Sequence, residues 1–384
     1  MLVKREIYNE LHEVASQYPV VTITGPRQSG KTTLARIAFP EYAYFSFENP
    51  DTRDQVQNDP RAFLEMNKAG VIIDEFQHYP EILSFIQGEV DRVNKKGHFI
   101  LTGSNQLSMI DKINQSLAGR TALLKLLPFT ISEAEKISGS LNANQLILNG
   151  FYPGIYSNSL NPYKAYRNYY ETYIERDVRR LSNLQNLRQF QLFMRLCAGR
   201  IGQIFNAASL AGEIGVSIPT IKHWLSILEA SFVVFMLSPW HANLNKRIVK
   251  SPKLYFYDVG LASFLLSIEK EEYLQTHPLR GALFENMVLM EFVKKRYNSG
   301  LDSNLYFYRD NHGNEVDIIQ EQGHLLNIYE IKSSTTFHSG FLKGLEYLKK
   351  LLPERIIQSS LVYAGEDMAS IKENKITNFR NIFT

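Results

Sequence analysis

At 384 residues the chain is too long for a single hydrophobic core and calls for about two to four domains. Its 44% apolar and 21% charged residues exclude a disordered or low-complexity chain, and apolar runs no longer than Phe232–Leu237 exclude a membrane-crossing helix. The net charge of +3 does not by itself argue for a polyanion partner, but it is unevenly laid out: 13 Lys and Arg stand against 6 Asp and Glu in residues 161–260, compared with 15 and 17 before that stretch and 14 and 16 after it.

The opening MLVKREIYNEL mixes charges into a helical pattern and lacks the apolar core of a secretion signal, so a cytoplasmic location is expected. VVTIT at 20–24 then reads as a buried strand, a β-branched run ended by glycine. Directly behind it, GPRQSGKTT completes G-x-x-x-x-G-K-[ST] in strand–loop–helix order, the pattern of a phosphate-binding loop. Gly25 and Gly30 let the backbone wrap, and the stretch Pro26, Arg27, Gln28, Ser29 between them is expected to turn its N–H groups toward phosphate at the head of a helix. Lys31 is expected at the β- and γ-phosphates and Thr32 on Mg²⁺, with Thr33 closing the ATP-binding set.

VIIDE at 71–75 supplies the acids such a loop needs on a neighbouring strand. Asp74 is expected to hold Mg²⁺ through water, and Glu75 to orient or deprotonate the attacking water, which favours hydrolysis over nucleotide storage. HFILTGSNQ at 98–106 is a further strand ending in small polar residues, where Ser104 and Asn105 are candidates to sense the γ-phosphate; polar residues also end many ordinary strands. Strands near 20, 43, 71, 98 and 122 alternate with helical segments, so residues 1–130 are expected to form an α/β unit with a parallel sheet covered on both faces.

GPRQSGKTT, VIIDEFQ, LTGSNQ and the later SLAGRTALLKLLPFTISE resemble the AAA-type P-loop ATPases of bacteria and archaea that carry a domain of unknown function at the C-terminal end. The resemblance implies ATP and Mg²⁺ as cofactors and a homo-oligomer. It also offers Arg120, in SLAGR, as a residue that meets nucleotide phosphate, acting as a finger from a neighbouring subunit. An arginine there could equally cap a helix, and Arg176 in YIERDVRR is a rival.

Residues 131–185 read as a helical lid or connector whose many tyrosines serve packing and not base stacking. Residues 186–260 follow the order helix, helix, tight turn, helix, β-ribbon, which resembles a winged helix-turn-helix; Cys197, without a partner for a disulfide, is expected in its core. Gly215 marks the turn and Ser217 the cap of the second helix, on which Ile221, Leu225 and Leu228 share a face and leave Thr220, Lys222, His223 and Ser226 outward, toward a DNA groove. Lys246, Arg247, Lys250 and Lys253 at the ribbon tip suit phosphate contacts beside them.

Residues 261–384 begin with a helix carrying Glu285, followed by strands LYFYRD, EVDII and LLNIYEIKSS. Alternation along a strand puts Glu330 and Lys332 on one face, where Asp317 of the partner strand joins them. Helix Glu, strand Asp and E-x-K resemble the PD-(D/E)XK nuclease superfamily, with Val316 in the place of its proline, and the resemblance implies a nuclease-like α/β fold holding a second divalent metal at Glu285, Asp317, Glu330 and Lys332. The combined expectation is a Mg²⁺-dependent ATPase that engages DNA, duplex or branched as at a four-way junction, in repair or recombination. An ATP-gated endonuclease and a regulatory switch ATPase that binds a protein are the alternatives.

Overall fold

The computed structural model describes residues 3–104, 112–113, 115–174, 187–240 and 251–383. Helix α1 (Tyr8–Gln17) leads into β1 (Val20–Thr24), α2 (Lys31–Ala38) and β2 (Ala43–Ser46). Helices α3 (Pro50–Asn58) and α4 (Pro60–Met66) start alike: Asn49 and Asp59 accept the first free N–H groups with their side chains, and a proline fills the first helical position. Strand β3 (Val71–Asp74), α5 (Ile82–Val93), β4 (Phe99–Gly103) and β5 (Thr121–Lys125) complete the unit.

All five expected strands form, paired parallel in the order β2-β3-β4-β1-β5. Side chains alternate across the sheet: Val20, Ile73 and Leu101 pack on one face with Ile82, Leu83 and Ile86 of α5, and Val21, Ile72 and Ile100 pack on the other with Leu11, Leu34 and Ala35 of α1 and α2. With both faces covered, the central strands are buried along their whole length.

The middle of the chain is helical. Helices α6 (Ile131–Ser138) and α7 (Ala143–Asn149) each open with a reciprocal capping box, Thr130 with Glu133 and Asn142 with Gln145. Then come α8 (Pro153–Ser157) and α9 (Pro162–Tyr169), the latter running into a π-helical turn over 170–174. Tyr152, Tyr156, Tyr166, Tyr169 and Tyr170 are buried, so the tyrosines pack. Helix α10 (Leu187–Ala198), which buries Cys197, precedes α11 (Ala207–Ile214), a turn at Gly215 (φ 76°) and α12 (Ile218–Ala230), capped by Ser217 Oγ accepting from the Thr220 N–H. A two-stranded antiparallel ribbon follows, β6 (Val234–Leu237) with β7 (Lys253–Phe256). The inward face of α12 is Ile221, Trp224, Ile227 and Leu228; Leu225, expected at its centre, is only partly buried because the Trp224 ring fills that place against Phe190 and Phe193.

Short helices α13 (Val259–Leu265) and α14 (Glu271–Gln275) lead to the long α15 (Arg280–Asn298). The chain ends with β8 (Leu305–Arg309), β9 (Glu315–Gln322), β10 (Leu325–Lys332), α16 (Lys343–Leu351), β11 (Ile356–Tyr363), β12 (Met368–Ile371) and β13 (Asn374–Asn378), in a sheet of order β12-β13-β11-β10-β9-β8. Strands β8 to β10 are antiparallel, and β10 and β11 pair parallel across the α16 connection. Helix α15 covers one sheet face, where the Phe292 ring packs tilted against Tyr329 at 4.6 Å between centroids, and α16 covers the other through Leu345 and Leu348. One apolar core runs from the connector through the helix-turn-helix to α15, so the parts after residue 126 pack as a continuous body. Among the described residues no helix is long and apolar enough to cross a membrane.

Candidate functional sites

The glycine loop leaves the carboxyl end of β1 and turns into α2. Gly25 (φ 149°) cannot be replaced there, since a Cβ would stand 2.1 Å from the Leu126 carbonyl oxygen of the neighbouring chain segment. Gln28 and Gly30 also have left-handed backbone, Pro26 and Ser29 are buried, and Arg27 lies 3.8 Å from Glu48. Lys31 is buried and folds back, Nζ donating to the Gly25 and Pro26 carbonyls at 3.0 and 2.7 Å. Burial pulls its ammonium down from the ordinary lysine value to about 8, against the nearby Glu75 and Asp74 carboxylates. Thr33 is exposed beside a cavity of about 480 Å³ that Thr32, Arg36 and Tyr44 also line.

Asp74 ends β3 one strand from β2 and one from β4, and both neighbours donate to it. Thr32 Oγ1 lies 3.0 Å from each carboxylate oxygen, Tyr44 OH donates at 2.8 Å, and Thr102 Oγ1 donates to Oδ1. Tyr44 was not legible as a site residue. Burial first, then the bond to Asp74, pushes its phenol up to about 12, so it stays a donor. Glu75 leaves the strand in left-handed backbone (φ 53°), which is costly for a residue with a side chain, and its Oε2 accepts from Ser104 Oγ at 3.1 Å and from Gln77 Nε2. Ser104 therefore meets the Glu75 carboxylate; Asn105 lies outside the described residues.

Arg120 stands elsewhere. It is at the start of β5, its carbonyl accepting from the Val20 N–H, while the glycine loop follows Thr24 at the other end of the same strand pair. Its guanidinium holds Asp91 in two bonds of 2.7 and 3.0 Å. A four-residue rise of roughly 13 Å separates it from the phosphate loop of its own chain, so it does not act there in cis. Arg176 lies outside the described residues.

On α12, Lys222, His223 and Ser226 are exposed and Thr220 is half-buried. Lys246, Arg247 and Lys250 lie outside the described residues.

Glu285, Asp317, Glu330 and Lys332 do come together, at the rim of a cavity of about 530 Å³. Lys332 Nζ bonds Glu330 Oε1 at 2.5 Å and stands 3.9 Å from Asp317 Oδ2, which also accepts from the Ile331 N–H at 2.8 Å. Burial, then the Asp317 charge, raises the Glu330 carboxyl well above the ordinary range. Lys253 is the correction. It is not a phosphate contact at the ribbon tip but the first residue of β7, 2% exposed, with Nζ 2.5 Å from Glu315 Oε1, 3.3 Å from Glu285 Oε1 and 4.0 Å from Asp317 Oδ1. Tyr255, two residues on and so on the same strand face, donates to Glu285 Oε1 as well. Burial opposes the charge on Lys253, and Glu285, Tyr255, Asp317 and Glu315 around it override that and hold the amine protonated. Among the described residues no group of three or more His, Cys, Asp or Glu is arranged to hold a metal ion, and the second metal expected at this cluster does not fit with an ammonium in its midst.

Comparison with known proteins adds three family matches: an AAA domain over residues 17–135, and two domains of unknown function, DUF8612 over 141–272 and DUF4143 over 280–382. Uncharacterized protein Rv2008c of Mycobacterium tuberculosis and uncharacterized protein Mb2031c of Mycobacterium bovis are each 31% identical to this chain over 371 residues, covering 95% of it and 81% of their own length. Among solved structures, the Walker-type ATPase PABY2304 of Pyrococcus abyssi covers 69% of this chain and 96% of its own, at 15% identity and a TM-score of 0.47. AMPPCP-bound DnaA from Aquifex aeolicus covers 58% and 85%, at 16% identity and a TM-score of 0.32.

Proposed function

This chain belongs to the AAA-type P-loop ATPase family that includes the two mycobacterial proteins, and from that premise we propose that it hydrolyses ATP with Mg²⁺ to change its grip on DNA. The observation that carries the ATPase half is the junction of Lys31, Thr32, Asp74, Glu75 and Ser104 at one end of the parallel sheet. Thr32 and Asp74, facing each other with hard oxygen donors, suit Mg²⁺, which when bound neutralises charge on the phosphate oxygens. Lys31 exchanges its two loop carbonyls for phosphate oxygens, and Tyr44 and Thr102 donate to the Asp74 carboxylate and keep it aimed. Glu75 is the base for the attacking water, with Ser104 and Gln77 holding its carboxylate until γ-phosphate arrives. Arg120, at the far end of the sheet and half-exposed on Asp91, acts in a homo-oligomer by leaving that partner for the nucleotide of the next subunit.

The DNA half rests on the excess of basic residues in 161–260 and on the exposed Lys222 and His223 of α12. We read α10 to β7 as a winged helix-turn-helix that meets duplex or branched DNA, with Lys246, Arg247 and Lys250 reaching phosphates. The order of α15 to β11 we read as a PD-(D/E)XK-like fold used to hold nucleic acid and not to cut it, because Lys253 occupies the carboxylate cluster. A cytoplasmic role in repair or recombination suits this combination. Filter binding of duplex, forked and four-way DNA across a salt series tests it: log affinity should fall against log salt by about 0.9 per phosphate contact. Absence of binding to every DNA form at low salt leaves a switch ATPase that works on a protein.

A further inference from the structure

The carboxylates at the C-terminal cavity do not share one counter-ion. Lys332 serves Glu330 and Asp317 from the strand itself, as the E-x-K spacing anticipates. Lys253 serves Glu315, Glu285 and Asp317 from outside the domain, because β7 belongs to the ribbon that follows the helix-turn-helix. The backbone that follows it is tied to the 202–203 segment. The Leu254 N–H donates to the Gln203 carbonyl and the Gly202 N–H to the Leu254 carbonyl, and the Phe307 ring lies 5.3 Å from Nζ. Three carboxylate oxygens, two from the one strand β9 and one from α15, thus lie within 4.0 Å of one buried nitrogen. A divalent cation takes oxygen ligands at roughly 2.0–2.6 Å, so around an ion placed at that nitrogen Glu315 at 2.5 Å is already in range, whereas Glu285 at 3.3 Å would close in by about 1 Å and Asp317 at 4.0 Å by about 1.5–2 Å. One more group remains over: Glu330 Oε2 is buried at the cavity wall with no hydrogen-bond partner among the described residues, although its residue is only 9% exposed.

We propose that the Lys253 ammonium is the resident cation of the Glu285–Glu315–Asp317 cluster, standing where a divalent metal ion would bind, so that the helix-turn-helix ribbon keeps the C-terminal cavity free of metal. The inference deepens the reading of this cavity as one that holds nucleic acid without cutting, but its readout is metal and not DNA, so either can fail alone. Removing the amine while keeping the stem takes the ammonium from Glu285 and leaves Glu315 and Asp317 with only Arg309 and Lys332, at 3.7 and 3.9 Å, which opens the cluster to a substitute cation. The test uses the full chain without nucleotide, titrated with Mn²⁺ and followed by the electron paramagnetic resonance of the free ion, together with thermal melting. Lys253→Met should bind Mn²⁺ roughly tenfold or more tighter than the parent and melt higher as Mn²⁺ is added. Adding Asp317→Asn to that variant should abolish both effects, which separates this site from the phosphate loop. The proposal is overturned if the parent already binds Mn²⁺ in a way that Asp317→Asn removes. It is equally overturned if Lys253→Met gains no binding, or if that variant fails to fold and Mn²⁺ does not restore it.

Discussion

Lys31 shows how a single residue can report on the state of the site. Its amine is buried against two carbonyls, and burial brings it down to about 8. A bound triphosphate would hold the amine charged and raise that value, so its contribution to binding should be complete below about pH 8 and fall away as the pH rises from there through the raised value. Calorimetry at pH 8.5 in buffers of different ionisation heat should register proton uptake on ATP binding, and Lys31→Met should abolish it; uptake unchanged in the variant would assign the proton elsewhere. The placement of Lys31 at a strand–loop–helix junction was legible because its whole context, strand, glycines and helix start, lies in a dozen consecutive residues. Tyr44 was not, since its bond to Asp74 exists only because β2 and β3 are neighbours, with Tyr44 registered beside Ile72. Lys253 misled for the same reason. Its neighbours in sequence are basic and exposed in pattern, but its burial is decided by carboxylates 32 to 64 residues later.

Among the elements, the segment Leu127–Ile131 between β5 and α6 is gripped from two sides. Arg5, 6% exposed, donates to the Leu127 and Pro128 carbonyls, to Glu133, and at 2.7 Å to the Ser29 carbonyl of the glycine loop. From the opposite side Glu291 of α15 accepts from the Ile131 N–H at 3.0 Å, and Lys294 donates to the Phe129 carbonyl at 2.7 Å. Arg5→Met strips the cationic partner from the fully buried Glu133, which keeps the Glu6 and Thr130 N–H groups, and a donor from the Ser29 carbonyl. A loss of about 3–5 kcal/mol in urea unfolding is expected, with weaker ATP binding, whereas a loss under about 1 kcal/mol would mean the bonds are replaced by water. Helix, strand and turn identities could be read from local caps and periodicity, as at Ser217 and Gly215. This clamp could not, because it joins residues more than 100 positions apart whose types are individually ordinary.

At the scale of the molecule, α15 is the connecting rod. Glu291 and Lys294 at its middle hold the segment beside the glycine loop, and Glu285, about 9 Å along the same helix, enters the carboxylate cavity. Ser29 is joined through Arg5, residues 127–131 and α15 to the ribbon residue Lys253 by hydrogen-bonded groups, and we propose this chain of contacts as the route by which nucleotide state reaches the C-terminal cavity. The measurement that tests this most directly is paired: steady-state ATP turnover of the full chain with no DNA and with duplex, forked or four-way DNA, and DNA affinity with and without a non-hydrolysable ATP analogue. Glu75→Gln serves as the turnover-dead control. Coupling predicts that at least one DNA form changes turnover, and that the analogue changes affinity for that form by about fivefold or more. Identical turnover with every DNA form, together with DNA affinity that ignores the nucleotide, would contradict the account.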